Sequence, residues 1–366
     1  MRIGITCYPT YGGSGIVATE LGLELATRGH EVHFITYANP IRLDAGLPRI
    51  HYHEVEVSTY PLFQYPPYCL ALASRMAEVA ESYTLDLLHV HYAIPHSISA
   101  LLARQMTAPA RRLPFITTLH GTDITLVGTD RSYYPITRFS IEQSDGITSI
   151  SDHLRQQTVE VFEIRNEIRV INNFVNTDLY KPAEVKAREK TLIHVSNFRP
   201  VKRVLDCVRI LAEARKHVDG RLLMVGDGPE RGPAEHLARE LRVDAYTRFL
   251  GKQDHVERLF PQAHVLLMPS EMESFGLAAL EGMACGLPAV ATRVGGVPEL
   301  VTHGVDGFLE APGDFVAQAA RVTELLSDDA MYARLSAAAR RTAVERFCTS
   351  KIIPQYEAYY EQVCGS

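Results

Sequence analysis

Short β-branched runs alternate with amphipathic segments along this chain, and the series is run through twice. The first pass reads "RIGITC", "IVATELGLELATRG", "HEVHFIT", then "LDLLHVHY", "LPFITTLHG" and "GITSIS" with helical patterns between them. This order leaves few folds open, because parallel strands need long crossovers and helices supply them. After about residue 175 the polar, proline-containing stretch "NTDLYKPAEVKAREK" breaks the periodicity and is the best candidate for an interdomain linker. The second pass follows: "TLIHVSN", a helical stretch over about Val204 to His217, "RLLMVGDG", "TRFLG", "HVLLMPS" and "PAVAT". With 366 residues, 46% of them hydrophobic, the chain can bury about two sizeable cores. The expectation is two doubly wound α/β domains, over 1–175 and 176–349. No tandem repeat points to a solenoid.

Charge removes several function classes. The formal net charge is -6 with no Lys/Arg block, which gives neither nucleic acid nor an anionic membrane an electrostatic footing. The longest apolar stretches fall far short of the roughly 20 residues of a membrane span, and "MRIGITCYPT" lacks a signal peptide's apolar core, so a cytoplasmic location is the default expectation. Cys7, Cys69, Cys207, Cys285, Cys348 and Cys364 show no C-x-x-C pair and no metal-like spacing to histidine; they read as free, mostly buried thiols.

"YPTYGGSGIVATELG" sets glycines between a first strand and a first helix, where backbone N–H groups and the helix dipole favour an anion. Gly13, Gly15 and Ala18 fit the dinucleotide pattern G-x-G-x-x-A, so a nicotinamide-dependent dehydrogenase enters the comparison. Two details weigh against it. "YPTYG" separates the glycines from the strand, and "HEVHFIT" ends in Tyr37, Ala38 and Asn39 without an acid for a ribose. A glycine turn needed only for packing is the plainer alternative.

The second half carries two glutamates eight residues apart in "SEMESFGLAALEGMACGLPAV". Glu273 falls in a strand-to-helix loop and Glu281 on the helix, at the carboxyl edge where open α/β sheets bind ligands. Helical rise would set their carboxylates about 12 Å apart, with free N–H groups of Ser274, Phe275, Gly276 and Leu277 between. That span suits a sugar, a diphosphate and a ribose laid end to end: carboxylates accept from hydroxyls, and N–H groups with a cation suit the diphosphate. "SNFRPVKR" supplies Arg199, Lys202 and Arg203 at the same edge. Singly, Glu273 could be a cap and the basic triplet a solvated face; their placement on successive strand ends argues for a site.

E-x7-E after "LLMPS", together with "FGLAALEGMACGLPAVAT", "GGVPELV" and "GDGPE", resembles the retaining glycosyltransferases of family GT4, which have the GT-B fold of two Rossmann-like domains facing a central cleft. In the first half, "GITCYPTYGGSGIVATELG", "HFITYANPIRL", "HYHEVEVSTYPLFQYPPYCLALASRMAEVAE", "HVHYAIPH" and "TTLHGTDIT", with "HVSNFRPVKR" after them, are similar to the BshA family within GT4, nearly end to end. Members of that family join UDP-N-acetylglucosamine to L-malate with retention, the first step of bacillithiol biosynthesis.

The resemblance implies an N-terminal acceptor domain, a C-terminal donor domain, and a last helix at about 350–366 packing back on the first. It implies that Glu273 contacts the donor sugar, Glu281 the ribose, and the backbone of Phe275, Gly276 and Leu277 sugar hydroxyls and phosphate. His120 resembles the family histidine that reaches the sugar; a core histidine is the alternative. Lys202 stands at the position of the family's phosphate lysine. Asn197 stands where many members carry an arginine, which leaves Arg199 as a further candidate cation. Gly13, Ser14, Tyr92, Thr118 and Arg138 resemble the acceptor residues, Gly13 bordering the donor as well, and Arg138 is their one cation. With no D-x-D anywhere, no metal and no cofactor are expected; the leaving UDP would be met by Lys202 and the helix starting near Phe275, with domain closure excluding water. The partners implied are the two substrates, with a homo-oligomer left open. The rival readings are a GT4 enzyme with another acceptor, such as an inositol phosphate or a sugar, the dehydrogenase, and a nucleotide-sugar sensor without catalysis.

Overall fold

The computed structural model describes residues 1–10, 12–43, 46–58, 61–108, 111–185 and 189–365. They form two compact units, Met1–Asn172 with Ile352–Ser366, and Asn173–Lys351. The N-terminal unit runs β1 (Arg2–Thr6), α1 (Gly13–Thr27), β2 (Glu31–Thr36), β3 (Ile50–Glu54), α2 (Tyr68–Ser82), β4 (Leu87–His91), α3 (Ile98–Thr107), β5 (Phe115–Leu119), α4 (Tyr134–Glu142), β6 (Gly146–Ser149), α5 (Asp152–Phe162) and β7 (Arg169–Val170). The C-terminal unit runs β8 (Thr191–Val195), α6 (Val204–Ala214), β9 (Arg221–Val225), α7 (Arg231–Glu240), β10 (Thr247–Gly251), β11 (Val265–Met268), α8 (Leu277–Ala284), β12 (Ala289–Thr292), α9 (Val297–Leu300), β13 (Gly307–Glu310), α10 (Phe315–Ser327) and α11 (Asp329–Arg346). The last helix, α12 (Thr349–Gly365), belongs from Ile352 onward to the N-terminal unit.

Both sheets are wholly parallel, as their near-continuous apolar strands require when helices cover both faces. The first has the order β3-β2-β1-β4-β5-β6-β7 and the second β10-β9-β8-β11-β12-β13. Each order reverses once, between β1 and β4 and between β8 and β11, and a crevice opens at the carboxyl ends of such a pair. The core of one layer of the first unit is Leu72, Met76 and Val79 of α2 against Leu88, Val90 and Phe115. In the second unit Val204, Cys207, Val208 and Leu211 of α6 pack on Leu192, Leu222 and Met224.

Helix α12 is tied into the first unit by its aromatic side. Tyr359 accepts from the Ile147 amide at 3.0 Å, and Tyr360 Oη lies 2.7 Å from His89 Nδ1. Glu357 pairs with Arg28 at 2.9 Å. The stretch read as a linker differs from that reading at its start: Tyr180 is buried, and Arg340 grips the carbonyls of Thr177 and Tyr180 at 2.9 and 2.7 Å. Residues 186–188 of it lie outside the described residues. The six cysteines are free, four of them buried. Among the described residues no helix is long and apolar enough to cross a membrane.

Candidate functional site

In the C-terminal unit the loops after β8 and β11 meet at the reversal of strand order. Lys202 Nζ lies 2.5 Å from Glu273 Oε1, and both side chains are mostly covered. Ser270 Oγ donates to the same oxygen at 3.1 Å. The two loops are stitched by main chain as well, Glu271 N donating to Val201 O at 2.8 Å. Beneath them His194 bridges the strands, Nδ1 to Leu267 O at 2.9 Å and Nε2 to Ser196 Oγ at 2.7 Å. Burial pushes that imidazole down to about 4, so it is a neutral structural link.

The glutamate is also held from behind. Its carbonyl accepts from Gly296 N at 3.1 Å, and a Cβ on Gly295, at φ +53°, would stand 1.8 Å from that oxygen. Glycine is therefore required in "GGVPEL" for this approach. Of the basic triplet, Lys202 reaches Glu273, whereas Arg203 turns to Asp206 at 2.7 Å and Arg199 is exposed. Asn197 is exposed on the same loop.

Helix α8 starts at Leu277, two residues later than the sequence suggested, because Gly276 sits at φ +98° and Ser274–Gly276 are not helical. Helical rise accordingly does not measure the whole separation of Glu273 and Glu281. No side chain of the N-cap occupies the first turn, so its main-chain N–H groups present the positive end of the dipole. Phe275 is buried against Phe347, ring centroids 5.5 Å apart, which leaves its backbone to act. Glu281 is 5% exposed and accepts from Tyr180 Oη at 2.8 Å. Tyr180 was not singled out from the sequence, since its partner is 101 positions away.

In the N-terminal unit the glycine turn follows β1. Helix α1 opens with Gly13 exposed and Ser14 half-buried, again without a side-chain cap. Gly15 allows the turn to close, because a Cβ there would meet Tyr8 O at 2.4 Å. At the end of β4, Tyr92 takes φ +88°, a conformation rare for a bulky residue and common at binding sites. Its ring stacks on His120 at 5.8 Å and meets Tyr8 edge-on at 5.2 Å.

His120 directly follows β5, 8% exposed, with Nε2 2.9 Å from His91 Nδ1. Burial, with a smaller push from His96, lowers its imidazole to about 3, so it is neutral near pH 7. Buried Asp123, not singled out from the sequence, knots the two strand-end loops by accepting from the amides of Ala93 (3.0 Å), His120 (3.2 Å) and Gly121 (2.8 Å). Burial raises its carboxyl and those amides oppose the rise.

The remaining candidates sit deeper or farther out. Thr118 is wholly buried, its hydroxyl 2.6 Å from both His89 Nε2 and Thr148 Oγ1. Arg138, on α4, has Nη1 3.3 Å from Glu163 and Nε 3.8 Å from Glu142, so two carboxylates already share its charge.

Residues 11–179 match the model described as Glycosyltransferase Family 4, and residues 176–342 match Glycosyl transferases group 1. An N-acetyl-alpha-D-glucosaminyl L-malate synthase of Bacillus anthracis is 48% identical over 372 residues, covering 99% of this chain and 97% of its own. A D-inositol 3-phosphate glycosyltransferase of Kribbella flavida is 28% identical, over 87% of this chain and 83% of its own. Among solved structures, a sucrose-phosphate synthase from Thermosynechococcus elongatus superposes with a TM-score of 0.81 at 23% identity, covering 100% of this chain and 99% of that one. Anabaena Alr3699/HepE in complex with UDP-glucose gives 0.79 at 20%, covering 99% and 100%. These likenesses are of fold, and the fold is GT-B.

Proposed function

The chain belongs to the family of the N-acetyl-alpha-D-glucosaminyl L-malate synthases, and we propose that it transfers N-acetylglucosamine from UDP-N-acetylglucosamine to the hydroxyl of L-malate with retention. The observation that carries this reading, beside the 48% identity, is the Lys202–Glu273 pair at the strand-order reversal of the C-terminal sheet, next to the uncapped start of α8.

In this reading the C-terminal unit binds the donor. Glu273 accepts from hydroxyls of the sugar, Lys202 moves onto the diphosphate, and the N–H groups at Phe275, Gly276 and Leu277 face phosphate and sugar. Glu281, oriented by Tyr180, accepts from the ribose. Ser274, Asn197 and Arg199 border the diphosphate, and Gly13 meets the donor from the N-terminal unit. That unit also supplies the malate contacts Gly13, Ser14, Tyr92 and Arg138, whereas Thr118, wholly buried with its hydroxyl engaged by His89 and Thr148, is no direct contact. His120, being neutral, serves the sugar as a hydrogen-bonding partner rather than as a cation.

The chemistry is one exchange at the anomeric carbon. The bond from that carbon to the diphosphate oxygen breaks, a bond to the malate oxygen forms on the same face, and the hydroxyl proton passes to the departing phosphate. No carboxylate of the chain is assigned as nucleophile. What the protein supplies is positive charge where negative charge grows: the Lys202 ammonium and the amides of α8.

The test is UDP release from UDP-N-acetylglucosamine with and without L-malate, without added metal, with proton NMR of the product. Malate-dependent release and an α-anomeric signal are expected. Donor binding without malate-dependent release would overturn the acceptor assignment.

A further inference from the structure

Away from the residues assigned above, Glu31, His33 and His51 bring one carboxylate oxygen and two imidazole nitrogens within 4.8 Å of one another. The sheet itself makes the cluster. Strand β3 pairs in parallel with β2 so that His51 lies opposite His33, and Glu31, two residues before His33, shares its face. Glu31 Oε1 is 3.1 Å from His51 Nε2 and 3.6 Å from His33 Nε2. An ion bound tetrahedrally at roughly 2.0–2.1 Å from each ligand atom sets those atoms about 3.3 Å apart, a value that the two distances from Glu31 bracket, while the two imidazole nitrogens lie within 4.8 Å of each other.

A second observation points to a ligand. His33 is fully buried, and its Nε2 has no hydrogen-bond partner among the described residues. Leaving a buried imidazole nitrogen bare is unfavourable. Its other nitrogen, Nδ1, lies 2.9 Å from His53 Nε2, the contact that fixes ring and tautomer in metal-bound histidines. Tyr83 closes one side, its ring centroid 4.6 Å from that of His33. Glu31 and His51 are each 38% exposed, so an ion can enter and keep a water.

We propose that Glu31, His33 and His51 form a binding site for one divalent transition-metal ion of the zinc type, with solvent in the fourth position. Two imidazoles and one carboxylate favour zinc over magnesium or calcium, which take oxygen ligands. The ion would join the edge strand β3 to β2. Glu31 opens β2, so the site sits toward the amino ends of the strands, opposite the edge that carries His120 and the glycine turn. It is structural in kind, and glycosyl transfer does not depend on it.

The experiment is equilibrium dialysis of the full-length protein against buffered ZnCl2, with the metal content measured, and titration with CoCl2 followed by visible absorption. One zinc per chain and intense tetrahedral cobalt bands are expected. Glu31→Gln and His51→Ala should weaken binding by about 100-fold or more, and His53→Gln by about 10–100-fold. The metal-free variants should keep wild-type circular dichroism and malate-dependent UDP release. Equal zinc retention by His51→Ala, or no retention by the wild type at micromolar free zinc, would overturn the assignment.

Discussion

Lys202 and Glu273 lie 71 residues apart in the chain and meet at 2.5 Å, on the loops that follow the two strands flanking the reversal of the C-terminal sheet. Without donor, each neutralises the other; with a sugar diphosphate, each has a better-matched partner, hydroxyls for the carboxylate and phosphate oxygens for the ammonium. In the proposed donor reading the ion pair is the resting arrangement of two groups that separate onto the donor when it binds.

Replacing Lys202 by alanine should lower turnover by about 10²–10³-fold, the usual effect of removing one preorganised charge-stabilising donor. The Michaelis constant for the donor should change less, because the charge on the departing diphosphate grows mainly in the transition state. Steady-state kinetics of malate-dependent UDP release decide it. A variant with intact turnover would transfer the role to Arg199.

Tyr180→Phe removes one hydrogen bond to buried Glu281. The lost bond should destabilise the protein by about 1–3 kcal/mol. If Glu281 holds the ribose, the Michaelis constant for UDP-N-acetylglucosamine should rise about tenfold with turnover nearly kept. Thermal unfolding and donor titration separate the two effects: a lower Tm with unchanged donor affinity would make Tyr180 a packing residue only.

Arg138→Ala should raise the Michaelis constant for L-malate by about 10-fold or more, the worth of a hydrogen bond to a charged carboxylate. The two ion pairs Arg138 makes with Glu142 and Glu163 are partly exposed and contribute at most about 1 kcal/mol to stability. Malate titration at saturating donor is the measurement. Unchanged malate dependence would remove Arg138 from the acceptor residues and leave it a surface partner of those glutamates.

How much of this was legible in the chain follows from what each feature depends on. The strand-loop-helix unit around Glu273 announced itself because "HVLLMPS" is an apolar run and the loop chemistry is local. Strand β3, "IHYHE", did not, since its histidines hide the alternation that marks a strand. Tyr180 and Gly295 depend on partners distant in sequence, Glu281 and the Glu273 carbonyl, and no periodicity encodes such pairs. Asp123 was visible within "LHGTD", but only the folded chain shows that it gathers amides from two strand-end loops.

The N-terminal unit carries a built-in sensitivity to acid. Burial lowers His89 and His120 to about 3 and His96 to about 4, and holds His91 well below its ordinary value of 6.5. Above pH 6.5 folded and unfolded chains both hold these rings neutral, so stability does not vary with them. As pH falls below 6.5 the unfolded chain binds protons that the folded chain refuses, and each ring subtracts about 1.4 kcal/mol per pH unit. Acting together the four remove about 5 kcal/mol per unit, which exhausts a typical stability of 5–15 kcal/mol within one to three units. Circular dichroism against pH should show cooperative unfolding between about pH 3.5 and 5.5, beginning about one unit above the ordinary carboxylate values of about 3.9–4.3. His89→Gln should flatten the slope by one proton's worth, and a Tm unchanged from pH 7 to 4.5 would show that these rings accept protons without leaving the fold.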